Sequence, residues 1–259
     1  MADAQGAAET PKPLLEEGFE APKGGVTSSF SDDVLAKYFD KDCKPYVQSP
    51  VHGGSWAAHY VIREGEESGA SHQFGLSPTA LRKLAGADTL TEFYVEFWEY
   101  FAEGYQFPSS SQKMFRAWYE DTKTNDESRK EIDFIILGHG KNVQMHYDWR
   151  GKAGFWETAP SFKREVPTGR WVKFGLWVNL GTPGHEDGFI RGYLDDELIA
   201  EETGLLMLRG NDTRGFHALW WGGTVSYRPK EQTKLPRATK DSHRYMDDFR
   251  LYATKPAKK

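Results

Sequence analysis

The clearest pattern in the chain is an alternation of apolar and polar positions between Gly169 and Asp195. Alternate residues of a β-strand lie on opposite faces of a sheet. The alternation predicts a strand from Trp171 to Leu180 and, after a Gly/Pro-rich turn over Gly181 to Gly188, a second strand from Phe189 to Leu194. One face of the first strand is a plain core face, formed by Val172, Phe174, Leu176 and Val178.

The opposite face of this first strand is unusual for a surface that only contacts water, because it carries Trp171, Lys173, Trp177 and Asn179. Tryptophan combines a large apolar ring with one polar N–H group and is common at binding surfaces. Either another part of the chain covers this face, or the face binds a ligand with rings and polar edges.

Most of the remaining chain also has the pattern of strands. They are predicted over Glu16 to Pro22, Ser55 to Glu64, Thr91 to Phe101, Gln112 to Asp121, Ile132 to Trp149 (a hairpin), Arg214 to Gly223 and Arg244 to Ala253. A serine cap followed by proline predicts a short helix over Ser77 to Leu84. Ser31 to Tyr38 has the pattern of a short helix or turn, and the charged run Asp121 to Glu131 that of a solvated hairpin loop.

Many short strands with Gly-rich turns and few helices favour an all-β fold, a two-sheet β-sandwich of the jelly-roll type with few short helices. We expect a flexible N-terminal arm over residues 1–16, a single domain over residues 17–254 and a basic tail over residues 255–259. The arm has too little apolar surface to fold alone, so neighbouring subunits of an assembly are candidate partners for it.

Composition excludes several classes of protein. The formal net charge is −5, which gives no support for nucleic-acid binding. The single cysteine, Cys43, excludes an intramolecular disulfide and a cysteine-based zinc site. No signal peptide and no membrane-spanning apolar run are visible, so we expect a soluble protein, either extracellular after trimming of a signal or assembled into a particle made in the cytoplasm.

Three motifs together carry a resemblance to a known family: GRWVKFGLWVNLGTPGHEDGFIRGYLDDELIAEETGL (Gly169 to Leu205), ALWWGG (Ala218 to Gly223) and YMDDFRLY (Tyr245 to Tyr252). They resemble the jelly-roll, concanavalin-like polysaccharide lyases of family 14, which act on alginate and glucuronate polymers. The resemblance implies a curved sheet whose concave face binds an anionic sugar chain, and cleavage of that chain by β-elimination. A base then removes the proton beside the uronate carboxylate, a cation or amide neutralises the carboxylate, and an acid protonates the leaving oxygen.

The resemblance implies catalytic roles for Lys113 and Tyr147, which fall where the family presents a lysine and one of two tyrosines. The second tyrosine position is Met145 here, and Glu131 and Asp133 stand where a hydroxyl residue and an arginine are expected. A carboxylate in place of a cation opposes the binding of a uronate. These departures favour a glycan-binding protein that has lost or altered its chemistry over an active lyase of the usual pattern.

An alternative catalytic set lies on the same predicted hairpin. Gln144 and His146 lie on the face opposite Met145 and Tyr147, so one pair or the other meets the groove. His146 can act as a base and Gln144 can neutralise a carboxylate, with Arg116 as a further cation of the site; a histidine that only makes structural hydrogen bonds at the sheet surface has the same pattern.

The sequence also suggests glycan-binding and metal-binding residues. A stacking platform with cationic edges is predicted from Trp171, Lys173, Trp177, Arg191 and Tyr193, and a basic loop from Tyr227 and Arg228. No cofactor is required by the predicted chemistry. Glu20 and Asp248, with Glu17 and Asp247 beside them, are candidate ligands of a structural calcium ion because hard carboxylate oxygens suit that cation.

Three functions therefore stay open at this stage. The first is a protein that binds an acidic polysaccharide or surface glycan, and the second is an active polysaccharide lyase. The third is a structural decoration or cement protein of a virus particle or surface assembly, suggested by the N-terminal arm and the basic C-terminal tail.

Overall fold

The structure, a computed structural model, describes residues 11–20, 36–38, 46–65, 73–106, 112–120, 129–137, 142–148, 157–158, 164–208, 210–211, 214–225 and 238–257. At positions 36–38, 73, 112–113, 120, 129–137, 142–148, 157–158 and 223–225 the structure describes only the backbone. No helix in these ranges is long and apolar enough to cross a membrane.

Strands and one short helix make up the regular structure of the described chain. Its elements are, in chain order, β1 (Leu15–Glu17), β2 (Ala36–Tyr38), β3 (Tyr46–Val47), β4 (Ala57–Ile62), β5 (Gln73–Leu76), α1 (Pro78–Ala85), β6 (Glu92–Phe101), β7 (Gln112–Glu120), β8 (Arg129–Leu137), β9 (Asn142–Asp148), β10 (Glu157–Thr158), β11 (Trp171–Asn179), β12 (Gly188–Leu194), β13 (Glu197–Leu205), β14 (Ala218–Val225) and β15 (Ser242–Tyr252).

These strands form two antiparallel sheets. The eight-stranded sheet has the order β13-β12-β11-β6-β15-β4-β3, with β1 pairing to β15. The seven-stranded sheet has the order β10-β9-β8-β7-β14-β5-β2. Trp221 of β14 stacks on Phe249 of β15 with ring centroids 4.1 Å apart, so the two sheets pack face to face. This is the two-sheet jelly-roll sandwich that the strand pattern predicts.

The alternation in β11 is confirmed by burial. Val172, Phe174, Leu176 and Val178 are fully buried, and they face the other sheet across the core. The outer positions Trp171, Lys173, Trp177 and Asn179 are half-buried. A tight hairpin turn joins β12 to β13 at Asp195 and Asp196, since both residues have a left-handed backbone.

The predicted helix is α1. The hydroxyl of its cap, Ser77, accepts a hydrogen bond from the backbone N–H of Ala80, and Pro78 occupies the first helical position. Gly86 ends the helix in the left-handed conformation, as is usual at helix C-termini. Ala80 and Leu81 bury the inner side of this helix against the core.

Three boundaries differ from the sequence-based expectation. Residues 36–38 form β2 rather than a helix or turn, because they pair with β5. Residues 129–131 of the charged run lie in β8, where the ladder with β7 satisfies their backbone. The sandwich begins at Leu15, inside the predicted arm, because β1 pairs with the C-terminal strand. Residues 1–10 of that arm lie outside the described residues.

Candidate functional site

The outward face of the seven-stranded sheet is defined by its buried face. Ala117 of β7 lies opposite Leu219 of β14, and both are fully buried in the core. The neighbouring residues Arg116, Trp118 and Trp220 are half-buried. Since side chains alternate along a strand, these three residues lie on the outward face.

Backbone register extends these rows across β8 and β9. Arg116 lies opposite Asp133, and Asp133 lies opposite His146. Trp220 continues the same row on the other side of Arg116. The sheet therefore lines up Trp220, Arg116, Asp133 and His146 across four adjacent strands.

The row next to it contains the two other candidate polar positions. Lys113 lies opposite Ile135, and Ile135 lies opposite Gln144. Ile135 is two residues from Asp133 in β8, so this row is on the same face as the row of Arg116. Lys113, Arg116, Gln144 and His146 thus belong to one face of the sheet.

A β-bulge in β7 makes this arrangement possible. The register shifts between Lys113 and Phe115, and Met114 and Phe115 are both buried. In a regular strand, position 113 would lie on the side opposite Arg116, whereas one extra residue restores it to the same side. The bulge therefore places Lys113 on the outward face.

The remaining catalytic candidate lies in a different row. Tyr147 is opposite Ile132, which is opposite the buried Ala117. Met145 is opposite Phe134, which is opposite the buried Phe115. Positions 145 and 147 thus belong to the inward rows, and the face with Gln144 and His146 is the outward one.

Two aromatic residues on this face were not singled out as ligands by the sequence. Trp220 lies against Gly75 of β5, where an added Cβ would be 2.6 Å from Cδ2 of the indole. Only glycine lets the ring lie this close to the sheet. On the next row, the guanidinium of Arg116 lies 5.3 Å from the ring centroid of Trp118, a cation–π distance. Period-two alternation around Trp221 is the signal that could have placed Trp220 outside.

The predicted glycan platform lies on the other sheet, and its polar groups are engaged within the protein. The indole N–H of Trp177 donates to Glu92 Oε1 at 2.8 Å. Arg191 lies over the Trp177 ring, 5.1 Å from its centroid, and pairs with Glu201. Tyr193, another aromatic residue of the predicted platform, is almost fully buried.

Lys173 of the same platform is also paired. Its Nζ lies 2.8 Å from Glu96 Oε2 and 3.1 Å from Asp196 Oδ1. Burial acts to lower the pKa of Lys173, but the two carboxylates outweigh it and raise the pKa above its usual value. An anionic sugar would have to compete with these carboxylates for the ammonium group. The other predicted cationic position, Arg228, and its neighbour Tyr227 lie outside the described residues.

Three of the four candidate calcium ligands, Glu20, Asp247 and Asp248, contact one loop that begins at His52. Asp247 Oδ2 accepts hydrogen bonds from the backbone N–H groups of His52 and Gly53, at 2.8 and 3.1 Å. Glu20 Oε1 accepts one from Ser55 N at 2.8 Å. Carboxylates that bind backbone amides in this way fix the loop over residues 52–56.

The remaining two carboxylates of this set are engaged similarly. Glu17 Oε1 accepts from Phe19 N at 2.6 Å, and Asp248 Oδ2 lies 2.6 Å from His52 Nδ1. Within the described part of the chain, no group of three or more His, Cys, Asp and Glu side chains is arranged to hold a metal ion. The calcium site stays a prediction. In the structure, hydrogen bonds from the backbone of the loop to Asp247 and Glu20 hold this loop in place.

Among known proteins, similarity to this chain is found at the level of the fold. No protein-family model matches the chain, and no curated protein matches it. Among solved structures, an endo-β-1,4-glucuronan lyase from the fungus Trichoderma reesei is similar with a TM-score of 0.64 and 12% identity, over 94% of this chain and 96% of that chain. A PL-14 alginate lyase from Aplysia kurodai gives 0.65 and 14%, over 94% and 100%.

A third similar structure is the alginate lyase vAL-1 from Chlorella virus. Its TM-score is 0.59 at 10% identity, over 80% of this chain and 88% of that chain. These TM-scores establish a shared fold. Because the sequence identities are low, the chemistry has to be argued from the site. The chain therefore resembles the jelly-roll polysaccharide lyases, as the motifs between Gly169 and Tyr252 predict.

Proposed function

We propose that this protein binds an acidic polysaccharide along the outward face of the seven-stranded sheet. The observation that carries the proposal is the row of Trp220, Arg116, Asp133 and His146 across four adjacent strands. An indole at one end offers a ring face for a sugar, and the positions beside it include groups that bind a carboxylate. The similar folds of alginate and glucuronan lyases support a polymer of uronates as the ligand.

Charge on this face is mixed, which bears on how tightly a polyanion binds. Lys113 and Arg116 attract a uronate, whereas Asp133 and Glu131, which lies opposite Trp118, repel it. Binding should therefore depend on stacking as well as on charge, and salt should weaken it only in part. This mixture of charges favours binding of the polymer through several weak contacts instead of one strong ion pair.

The decisive experiment is affinity gel electrophoresis in gels that contain alginate or glucuronan. We expect both polymers to retard the wild-type protein, and Trp220→Ala and Arg116→Ala to remove most of the retardation. Arg63→Ala is the matched control, because Arg63 is an exposed arginine next to β4 of the other sheet. Unretarded wild-type protein, or equal retardation of Arg116→Ala and Arg63→Ala, would contradict the proposal.

Cleavage of the polymer is the second candidate function, and one observation favours it. The register gives Gln144 and His146 the same face as Lys113 and Arg116. In a β-elimination on this face, His146 would take the proton beside the carboxylate, and Gln144 and Arg116 would neutralise that carboxylate. Lys113 would then protonate the leaving oxygen.

This second candidate has its own test, because elimination creates unsaturated uronate ends that absorb ultraviolet light. If the protein is a lyase of this kind, His146→Ala should abolish product formation, while Tyr147→Phe should retain it. If Tyr147→Phe abolished product formation and His146→Ala retained it, Tyr147 would be the catalytic residue instead of His146. Absence of product from alginate and glucuronan, with binding intact, would leave a glycan-binding protein without this activity.

A further inference from the structure

We propose that the outer face of the eight-stranded sheet carries a second glycan-binding surface, which takes uncharged sugar units. It is built on an aromatic strip, which we define as Trp171, Tyr100, Tyr245 and His59 in one cross-strand row, with Trp98 and His52 beside it. The proposal does not depend on the function assigned to the seven-stranded sheet.

Register aligns the strip across β11, β6, β15 and β4. Trp171 lies opposite Tyr100, Tyr100 opposite Tyr245, and Tyr245 opposite His59. Successive ring centroids are 5.7, 5.9 and 4.9 Å apart, so the rings touch along the row. Three strand spacings of about 4.8 Å make the row about 14 Å long, which is long enough to contact more than one sugar unit.

These rings are half-buried, and each carries a polar group at its rim. Phenol hydroxyls, imidazole nitrogens and an indole N–H alternate with apolar ring surface, and the row contains no aliphatic side chain. A pyranose ring has the matching character, because its apolar C–H face is bordered by hydroxyl groups.

His52 gives the strip a fixed polar contact. Its imidazole stacks on Trp98, with centroids 3.9 Å apart and planes inclined by 18°, and its edge lies towards Trp171 at 5.7 Å. Nδ1 is hydrogen-bonded to Asp248 Oδ2. The ring is therefore held in place through Nδ1, and Nε2 has no hydrogen-bond partner among the described residues.

The backbone around His52 is adapted to hold this position. Asp248 has a left-handed backbone, with φ of 48°, which is unfavourable for a residue other than glycine. A Cβ on Gly53 would lie 2.8 Å from Asp248 Oδ2, so a side chain there would disturb the contact with His52. Such strain is commonly found where a side chain is positioned for function.

The charges near the strip point to an uncharged ligand. Lys173, beside Trp98, is bound to Glu96 and Asp196. Arg250 is bound to Glu16 at 2.7 Å. Both cations are thus paired with carboxylates of the protein. Stacking and neutral hydrogen bonds are the interactions left to a ligand.

Affinity gel electrophoresis with two uncharged polymers, laminarin and xyloglucan, tests this surface. We expect at least one polymer to retard the wild-type protein, and Trp171→Ala to weaken binding about tenfold, as loss of a stacking ring would. Leu198→Ala is the control, because Leu198 is an exposed apolar side chain of β13, at the edge of the same sheet and outside the strip. His52→Ala should weaken binding less than Trp171→Ala.

Circular dichroism must show that each variant is folded before its binding is compared. No retardation of the wild type by either polymer would overturn the proposal, as would equal binding by Trp171→Ala and Leu198→Ala. Self-association that is lost in Trp171→Ala, without polymer binding, would show that the strip is instead an interface between two copies. Arg116→Ala should keep the binding of uncharged polymers, which separates this surface from the one on the seven-stranded sheet.

Discussion

A buried ion pair between Glu99 and Arg244 predicts how the stability of the protein depends on pH. Both side chains lie inside the sandwich, with relative exposures of 0% and 2%. Arg244 Nε is 3.2 Å from Glu99 Oε2, and the guanidinium lies 4.6 Å from the centroid of the Tyr60 ring. Burial raises the pKa of Glu99 to about 7, although Arg244 acts to lower it. The carboxyl group should therefore change its charge near neutral pH.

The sign of the pH dependence follows from this pKa. The carboxyl group of Glu99 has a reference pKa of 4.5 in the unfolded chain, so between pH 4.5 and about 7 the folded protein binds the proton more tightly. Glu99 should then lower the free energy of unfolding as the pH rises through this window, and have no further effect above it. At about 1.4 kcal/mol per pH unit, the upper limit of the effect over this window is about 3.5 kcal/mol.

Urea denaturation of wild type and Glu99→Gln at pH 5 and pH 8 measures this effect. The difference in free energy of unfolding between the two proteins should change by up to about 3 kcal/mol between these pH values. The comparison cancels the titration of other groups, including Asp247, whose pKa burial raises to about 6. A difference that is the same at both pH values would show that Glu99 keeps one charge state, and would refute the reasoning.

Removal of the cation extends the same test. Arg244→Met should cost about 3–5 kcal/mol at pH 8, because it leaves a buried carboxylate without a partner. The cost should be smaller at pH 5, where Glu99 is protonated. Combining Arg244→Met with Glu99→Leu should recover most of the lost stability, since an apolar pair of similar volume can replace a buried ion pair.

Three further predictions concern single contacts. Gly75→Val should displace the Trp220 ring and weaken alginate retardation as strongly as Trp220→Ala, with little change in Tm; a normal affinity would show that the ring is not used. Ser77→Ala should lower the free energy of unfolding by about 1 kcal/mol through loss of the helix cap, and Ser77→Asp should not, as urea titration would show. Trp221→Ala should cost about 3–5 kcal/mol by leaving a cavity between the sheets, and a cost below about 1 kcal/mol would contradict the packing described.

Period-two alternation predicts much of the fold because it reflects a local property of the backbone. The inward face of β11 is read directly from the positions between Val172 and Val178, and burial confirms it. The cap at Ser77 and the turn at Asp195 are equally local. Alternation also places Glu99 on the inward side of β6, between Phe97 and Phe101, although the charge of Glu99 would not suggest a core position.

The candidate site was less predictable, because it depends on contacts between distant segments. A bulge at Met114 decides the face on which Lys113 lies, and alternation alone gives the wrong one. The choice between Gln144 with His146 and Met145 with Tyr147 required the register with β8 and β7. The cations of the predicted platform, such as Lys173, are paired with carboxylates that come from other strands.

The edge strand β13 has a consequence for the behaviour of the protein at high concentration. It ends the eight-stranded sheet, and it exposes Leu198 together with Glu197 and Glu201. An open edge can pair with the same edge of another molecule and start an aggregate. Charged side chains along this edge oppose such pairing, because Glu197, paired with Arg164, and Glu201, paired with Arg191, would lose contact with water. The charged groups of β13 therefore disfavour edge-to-edge pairing of two molecules.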